Sequence, residues 1–170
     1  CGGKVSVDAN YYRDYTYNYY DKIDIFIGSE LYYTSFCADK GLNAGEYEKN
    51  MRLLMTYGPE IVIFTFGADG CRGVYGDRYF EIPAHKVEVA DTTGAGDVFH
   101  GAFDAFYLMG YGVEECARMA TGVSAIKCTR PGGRSGIPTL DVLKKYLDTG
   151  VIDYTEIDGR VEHYKKGISL

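Results

Sequence analysis

The stretch Asp91-Thr92-Thr93-Gly94-Ala95-Gly96-Asp97 separates two segments of different hydrophobic period. Residues 87–90 alternate in polarity, which predicts a strand, and residues 99–109 place apolar side chains on one face of a predicted helix, at Phe99, Ala102, Phe103 and Phe106. A glycine-rich turn that opens a helix is a typical anion site, because the first helical amides lack intrahelical acceptors and the helix dipole favours negative charge there. We therefore predict a strand, a turn and a helix, with an anion bound at the turn.

Asp97 lies in the first turn of that predicted helix, and two roles fit it. Asp is a favoured residue at a helix N-terminus, where it stabilises a helix by about 0.5–2 kcal/mol without any catalytic role. Alternatively, its carboxylate is a general base that takes the proton of a hydroxyl attacking phosphorus, while the amides of Gly94, Ala95 and Gly96 stabilise the developing charge. Other phosphate motifs do not match: Phe99 stands where a dinucleotide fingerprint needs its third glycine, and no Gly-Lys-Ser/Thr sequence occurs.

Composition excludes several classes of protein. The net charge of −6 argues against a nucleic-acid partner, since neutralising phosphates needs a basic surface. No apolar run approaches the eighteen or so residues that span a bilayer, so we expect no membrane association. Five scattered cysteines without C-x-x-C spacing, and three distant histidines, predict reduced thiols in a cytoplasmic protein with neither a zinc site nor a His-based metal cluster.

Strand and helix patterns alternate before the central turn. The predicted strands are residues 5–8, 23–28 and 61–66, and the predicted helices are residues 11–22, a helix capped by Ser29, and residues 44–57. Such alternation predicts βαβ crossovers and an α/β fold. Two antiparallel strands, Cys71–Tyr75 and Arg78–Ile82, are predicted to follow.

Two helices are predicted after the central turn, Val113–Lys127 and one capped by Thr139. Residues 150–170 show no strong period, and we expect an appendage there, with a hairpin around Asp158-Gly159.

The central string closely resembles the D-T-T-G-A-G-D signature of the PfkB-type, ribokinase-like carbohydrate kinases, and all seven residues match. The resemblance, which extends over residues 5–147, implies a three-layer α/β/α fold with a mostly parallel sheet. It assigns the role of catalytic base to Asp97 and that of an anion hole to the amides of Gly94, Ala95 and Gly96. ATP and Mg²⁺ are the implied cofactors, and a small sugar is the implied substrate.

Two further segments resemble the nucleotide site of that family. Residues 65–70 resemble its T-x-G-x-x-G turn, which implies nucleotide contacts for Thr65, Gly67, Asp69 and Gly70, although such a turn is also an ordinary strand ending. Residues 132–139 resemble the loop beside the adenine, so that Thr121 and Gly132 are expected to line the base pocket.

A monovalent cation, K⁺, is bound beside the anion hole in some members of the family. Asp91 and the carbonyl of Thr93 match its ligands, with further main-chain oxygens expected near Lys127 and Gly132. The cationic side chain of Lys127 near that loop leaves K⁺ an open question. The family's Mg²⁺-linked N-x-x-E motif appears here as Ser29-Glu30-Leu31-Tyr32, so the residues that support Mg²⁺ are not identified.

The chain begins at Cys1-Gly2-Gly3-Lys4 without methionine and matches the C-terminal half of such kinases. We expect residues 1–170 to be the C-terminal part of a single ribokinase-like domain, incomplete because the N-terminal half and its lid are absent. The isolated chain is then expected to be inactive or nearly so, since a lid positions the substrate. Its exposed sheet edge and core surface are expected to favour either oligomerisation, as in a homodimer, or instability.

The predicted function is ATP-dependent phosphorylation of a sugar hydroxyl. A nucleoside or vitamin kinase of the same superfamily and a non-catalytic nucleotide-binding fragment are the alternatives.

Overall fold

Five strands form one sheet in which spatial order follows sequence order. They are β1 (Ser6–Ala9), β2 (Ile25–Ser29), β3 (Ile61–Thr65), β4 (Cys71–Tyr75) and β5 (Arg78–Ile82). β2 pairs in parallel with both β1 and β3, whereas β4 is antiparallel to both of its neighbours, β3 and β5. All strands except β4 therefore run in one direction, which confirms the predicted mostly parallel α/β sheet and both predicted antiparallel strands.

The computed structural model describes residues 2–13, 15 and 18–168, and it divides into two compact units, Cys1–Pro83 and Ala84–Leu170. The sheet belongs to the first unit, together with α1 (Glu30–Asp39) and α2 (Tyr47–Met55). The second unit contains α3 (Ala95–Leu108), α4 (Val113–Cys128), α5 (Leu140–Thr149) and α6 (Thr155–Ile168). No helix among the described residues has the length and hydropathy needed to cross a membrane.

Aromatic side chains fill the core of the first unit. Phe26 and Phe64 of the central strands are completely buried, and their ring centroids lie 5.8 Å apart. The hydroxyl of Ser29 accepts a hydrogen bond from the amide of Tyr32 at 3.2 Å, which confirms Ser29 as the N-cap of α1. Four of the five residues of β3 are buried, which explains its continuous apolar run, because a strand covered on both faces of a sheet is apolar at every position.

The prediction of a helix over residues 11–22 is wrong for the part of this stretch that the structure describes. None of the described residues there is α-helical. Tyr20–Lys22 form a short 3₁₀ turn, and Asp14, Thr16 and Tyr17 lie outside the described residues. Tyr20 is buried, hydrogen-bonded to the hydroxyl of Tyr32 and stacked on Tyr57. Individual tyrosine contacts with the core override the helical spacing of the aromatic residues.

Helix pairing builds the core of the second unit. The buried aromatic residues of α3, namely Phe99, Phe103 and Phe106, confirm the predicted helix face, although Ala102 is only partly buried. α4 carries the small and apolar residues Ala117, Ala120, Val123 and Ile126 in its buried part. Cys37, Cys71, Cys116 and Cys128 are buried and form no disulfide, whereas Cys1 lies outside the described residues.

Two predictions for the second unit are wrong. Residues 87–90 form no strand; instead, the amides of Ala90 and Asp91 both donate to the carbonyl oxygen of Cys128, at 2.8 and 3.1 Å. The hairpin predicted around Asp158-Gly159 is the helix α6, which buries Ile157 and Val161. The helical spacing of these two apolar residues was masked by Gly159 and by the charged residues around it.

Candidate active site

The central turn positions the N-terminus of α3. Gly94 is the N-cap and has φ of 71°, a left-handed conformation that glycine adopts without steric cost. The amide of Ala95 donates to the carbonyl oxygen of Thr92 at 3.0 Å, and the amide of Val98 makes a helical bond to Gly94 at 2.9 Å. The amides of Gly96 and Asp97 lie before Val98, in the first turn, and have no acceptor within the helix. They are therefore suited to bind an anion.

Asp97 is exposed in the first turn of α3. A Cβ placed on Gly94 would lie 3.7 Å from Oδ2 of Asp97 and 3.5 Å from Cα of Gly133, so these three residues surround one point of the surface. A carboxylate enclosed by apolar side chains would have excluded the predicted chemistry. Its exposure leaves the carboxylate accessible from solvent.

A cleft of about 660 Å³ opens beside Asp97, a size typical of small-molecule sites. The lining includes Val98, Ala102 and Phe106 of α3, and it also includes Gly133, Arg134, Ile137 and Leu143. Most of this lining is apolar, and Asp97 is the one acidic residue among the described residues that form it. The cleft can hold a flat apolar group next to a charged one.

Asp91 ties the central turn to the loop that follows α4. Its Oδ1 accepts a hydrogen bond from the amide of Thr93 at 2.8 Å, and its Oδ2 accepts one from the amide of Gly132 at 2.7 Å. A hydrogen bond from the Thr93 side chain has the largest effect on the pKa of Asp91. Together with the bonds from the two amides, it lowers this pKa to about 2. The two segments, 41 residues apart in sequence, are joined through one carboxylate.

Lys127 reaches the same turn from the end of α4. Its exposed fraction is 0%, and its Nζ donates to the carbonyl oxygen of Asp91 at 3.0 Å and to that of Thr93. The carbonyl oxygen of Thr93, a predicted ligand of a monovalent cation, is therefore bound by an ammonium group.

Residues of α6 and its start bind the loop after α4. Arg130 makes a paired contact with the carboxylate of Asp158, including Nη2 to Oδ2 at 3.1 Å, and its guanidinium lies 3.7 Å from the ring centroid of Tyr154. Arg160 donates to the carbonyl oxygen of Ile137. Sequence reasoning missed these contacts, although Tyr154, Ile157, Asp158 and Val161 have the spacing of one helix face.

Thr121 does not lie in the cleft. It is buried in α4, and its hydroxyl donates to the carbonyl oxygen of Ala117 at 2.8 Å. Val123 is the residue of α4 that lines the cleft. Thr121 is thus not a lining residue of this cleft, and its expected contact with the base stays a prediction.

The turn Thr65–Gly70 lies in the first unit, at the carboxyl end of β3. Gly67 and Gly70 have φ of 54° and 87°, and the amide of Phe66 closes the turn by donating to the carbonyl oxygen of Gly70 at 2.7 Å. Gly67 and Asp69 are exposed, whereas Thr65 is half-buried and its hydroxyl donates to the carbonyl oxygen of Gly28. The carboxyl ends of parallel strands are common ligand sites in α/β sheets.

Metal ligands are not clustered in the part of the chain that the structure describes. No group of three or more His, Cys, Asp or Glu side chains there could hold a metal ion.

Comparison with known proteins identifies the relatives of this sequence. The profile of the pfkB family carbohydrate kinases matches residues 7–140. A deoxyribokinase of Salmonella typhi is 29% identical over 138 residues, which are 79% of this chain and 44% of the relative.

Solved structures with the same fold include two ribokinases. That of Thermotoga maritima superposes with a TM-score of 0.71 at 29% identity, over 78% of this chain and 45% of its own. That of Arabidopsis thaliana, in complex with ribose and ATP, gives a TM-score of 0.70 at 24% identity, over 84% and 47% of the two chains. The chain thus has a ribokinase-like fold and spans less than half the length of these relatives.

Proposed function

The chain belongs to the pfkB family of carbohydrate kinases, and from this premise we propose that it transfers the terminal phosphoryl group of ATP to a hydroxyl of a small sugar. The observation that carries the proposal is the exposed side chain of Asp97, which lies in the first turn of α3 and lines an open cleft. A general base, an anion site and a nucleotide-sized cavity are the parts that phosphoryl transfer needs.

In the proposed reaction, the sugar oxygen forms a bond to the γ-phosphorus while the bond from phosphorus to the β,γ-bridging oxygen breaks. Asp97 takes the hydroxyl proton, and ADP leaves with the electron pair. The amides of Gly94, Gly96 and Asp97, with the positive end of the α3 dipole, stabilise the negative charge on the transferred group. The amide of Ala95, the third expected donor, would first have to leave the carbonyl oxygen of Thr92.

The apolar part of the cleft is proposed to take the adenine, beside Gly133 and the side chain of Ile137. Gly132 is proposed to support the nucleotide site through the hydrogen bond from its amide to the carboxylate of Asp91. Thr121 is not included in the proposed base pocket, because it is buried and does not line the cleft. Contacts of Thr65, Gly67, Asp69 and Gly70 with the nucleotide stay predictions for the first unit. Mg²⁺, carried by the nucleotide phosphates, would neutralise their charge.

Replacing Asp97 by asparagine tests the proposal in the protein expressed from its complete reading frame. We expect kcat to fall by about 10²–10⁴-fold with little change in ATP affinity, because the proton acceptor is lost and the shape is kept. The matched control is Asp104→Asn on the same helix, where the carboxylate contacts His100 instead of the cleft. Equal turnover in Asp97→Asn and wild type would remove Asp97 from the mechanism.

A coupled ADP-release assay with pentoses, hexoses and nucleosides distinguishes the alternatives. Preference for a pentose or hexose supports the proposal, whereas preference for a nucleoside supports the related kinase class. If calorimetry shows that ATP binds but no acceptor is phosphorylated, the result supports the alternative of a non-catalytic nucleotide-binding protein. The single domain expected for residues 1–170 and the homodimer stay predictions. Analytical ultracentrifugation of the same sample tests the homodimer.

A further inference from the structure

Lys127 is a completely buried cation at the last turn of α4. Burying an ammonium group is costly unless hydrogen-bond acceptors replace its water. Here the carbonyl oxygens of Asp91 and Thr93 accept hydrogen bonds from Nζ, and the carboxylate of Asp91 supplies a nearby opposite charge. The ammonium is thus held by main-chain oxygens, as a bound alkali-metal ion would be.

The oxygens that Lys127 occupies belong to the two residues from which a K⁺ site was expected. A K⁺ ion on the carbonyl oxygen of Thr93 would have the Lys127 ammonium as an immediate neighbour. Repulsion between two like charges is strong at a buried position, because water and salt screen it poorly. The residues present therefore do not fit a K⁺ ion at this place.

The contacts of Lys127 connect it to the proposed phosphate site. Thr93 immediately precedes Gly94, the N-cap of α3, and the side chain of Asp91 binds the amides of Thr93 and Gly132. A cation behind this turn fixes the direction of the following amides. It also adds positive potential to that of the helix N-terminus.

We propose that the Lys127 ammonium is a covalently attached substitute for the monovalent cation, and that phosphoryl transfer by this protein does not require K⁺. Lys127 is then a positioning residue, which acts through the Asp91–Thr93 turn and touches no reacting atom. The activity part of this inference rests on the proposed function, whereas the cation part concerns the folded protein alone.

Exchange of the salt tests the wild-type protein. When about 150 mM KCl is replaced by tetramethylammonium chloride at the same ionic strength, we expect kcat to change by less than about 2-fold and Tm to stay within about 1 °C. Crystals soaked in rubidium chloride are expected to show no anomalous peak at the carbonyl oxygens of Asp91 and Thr93. Activation by KCl of more than about 5-fold, or a rubidium peak there, would overturn the proposal.

The variant Lys127→Ala tests the substitution directly, because it leaves a space bordered by two carbonyl oxygens. In tetramethylammonium chloride we expect its kcat to fall by about 10-fold or more. KCl should then restore part of kcat and raise Tm by about 2–4 °C. Lys144→Ala, which removes an exposed lysine of α5, is the matched control and should behave as wild type in both salts.

The outcomes separate this proposal from the proposed function. A Lys127→Ala protein that folds, with the activity and Tm of wild type in both salts, would overturn the proposal. If Lys127→Ala does not fold, Lys127→Met keeps the side-chain length, and the wild-type salt and rubidium measurements still decide. If no acceptor is phosphorylated, the proposed function fails, while Tm and the rubidium peaks continue to test the role of Lys127.

Discussion

Replacement of Gly136 by alanine is expected to destabilise the protein through a clash between two backbones. A Cβ at this position would lie 2.5 Å from the carbonyl oxygen of Lys127 and 3.0 Å from its Cα. These are main-chain atoms of α4, which cannot rotate away as the end of a flexible side chain can. The loop or the last turn of α4 must therefore move, and with it the backbone that carries the Lys127 ammonium.

The expected magnitude follows from two opposing effects. Forced overpacking costs about 1–3 kcal/mol, whereas replacing glycine restricts the unfolded chain and offsets about 0.4–1 kcal/mol of that cost. The net loss is about 1.5 kcal/mol, which lowers Tm by about 3–6 °C in a chain of this length. A shift of Nζ away from Asp91 and Thr93 should lower kcat as well.

Urea unfolding followed by circular dichroism measures this loss against a control in the same loop. Gly133→Ala is that control, because no heavy atom lies within 4 Å of its added Cβ and its φ is not positive. We expect Gly133→Ala to be neutral or more stable by about 0.4–1 kcal/mol. Equal urea midpoints for the two variants would refute the claim that close packing of Gly136 on Lys127 determines the result.

Two further predictions concern the elements that hold the site. Ile157→Ala should cost about 2–5 kcal/mol in urea unfolding, because Ile157 is completely buried in α6; a loss below about 0.5 kcal/mol would contradict a packed α6. The folded-state pKa of Asp91 is lowered to about 2, so its contribution to stability is present above the unfolded pKa of about 4 and disappears as pH falls towards 2. The difference in urea midpoint between wild type and Asp91→Asn should shrink over that range, and a constant difference would argue against this role.

Patterns in the sequence were sufficient wherever the signal is local. The apolar run Ile61–Thr65 predicts a strand buried on both faces, and Ser29 predicts a helix N-terminus from its hydroxyl. The central turn and the start of α3 follow in the same way from Gly94 and from the helical spacing beyond it. Local signals failed for the tyrosines near Tyr20, where contacts with the core opposed the helical spacing, and for α6, where Gly159 and charged residues masked it.

The sequence by itself determined the α/β class, the glycine turn at the start of α3 and the carboxylate of Asp97 in its first turn, because each depends on backbone geometry within a few residues. Only the tertiary structure decided which groups meet behind that turn. The Lys127 ammonium reaches oxygens 34 and 36 residues away, and Gly132 reaches Asp91 across 41 residues. Contacts over such separations depend on how α3, α4 and the loop after α4 pack, and no periodicity in the sequence specifies that packing.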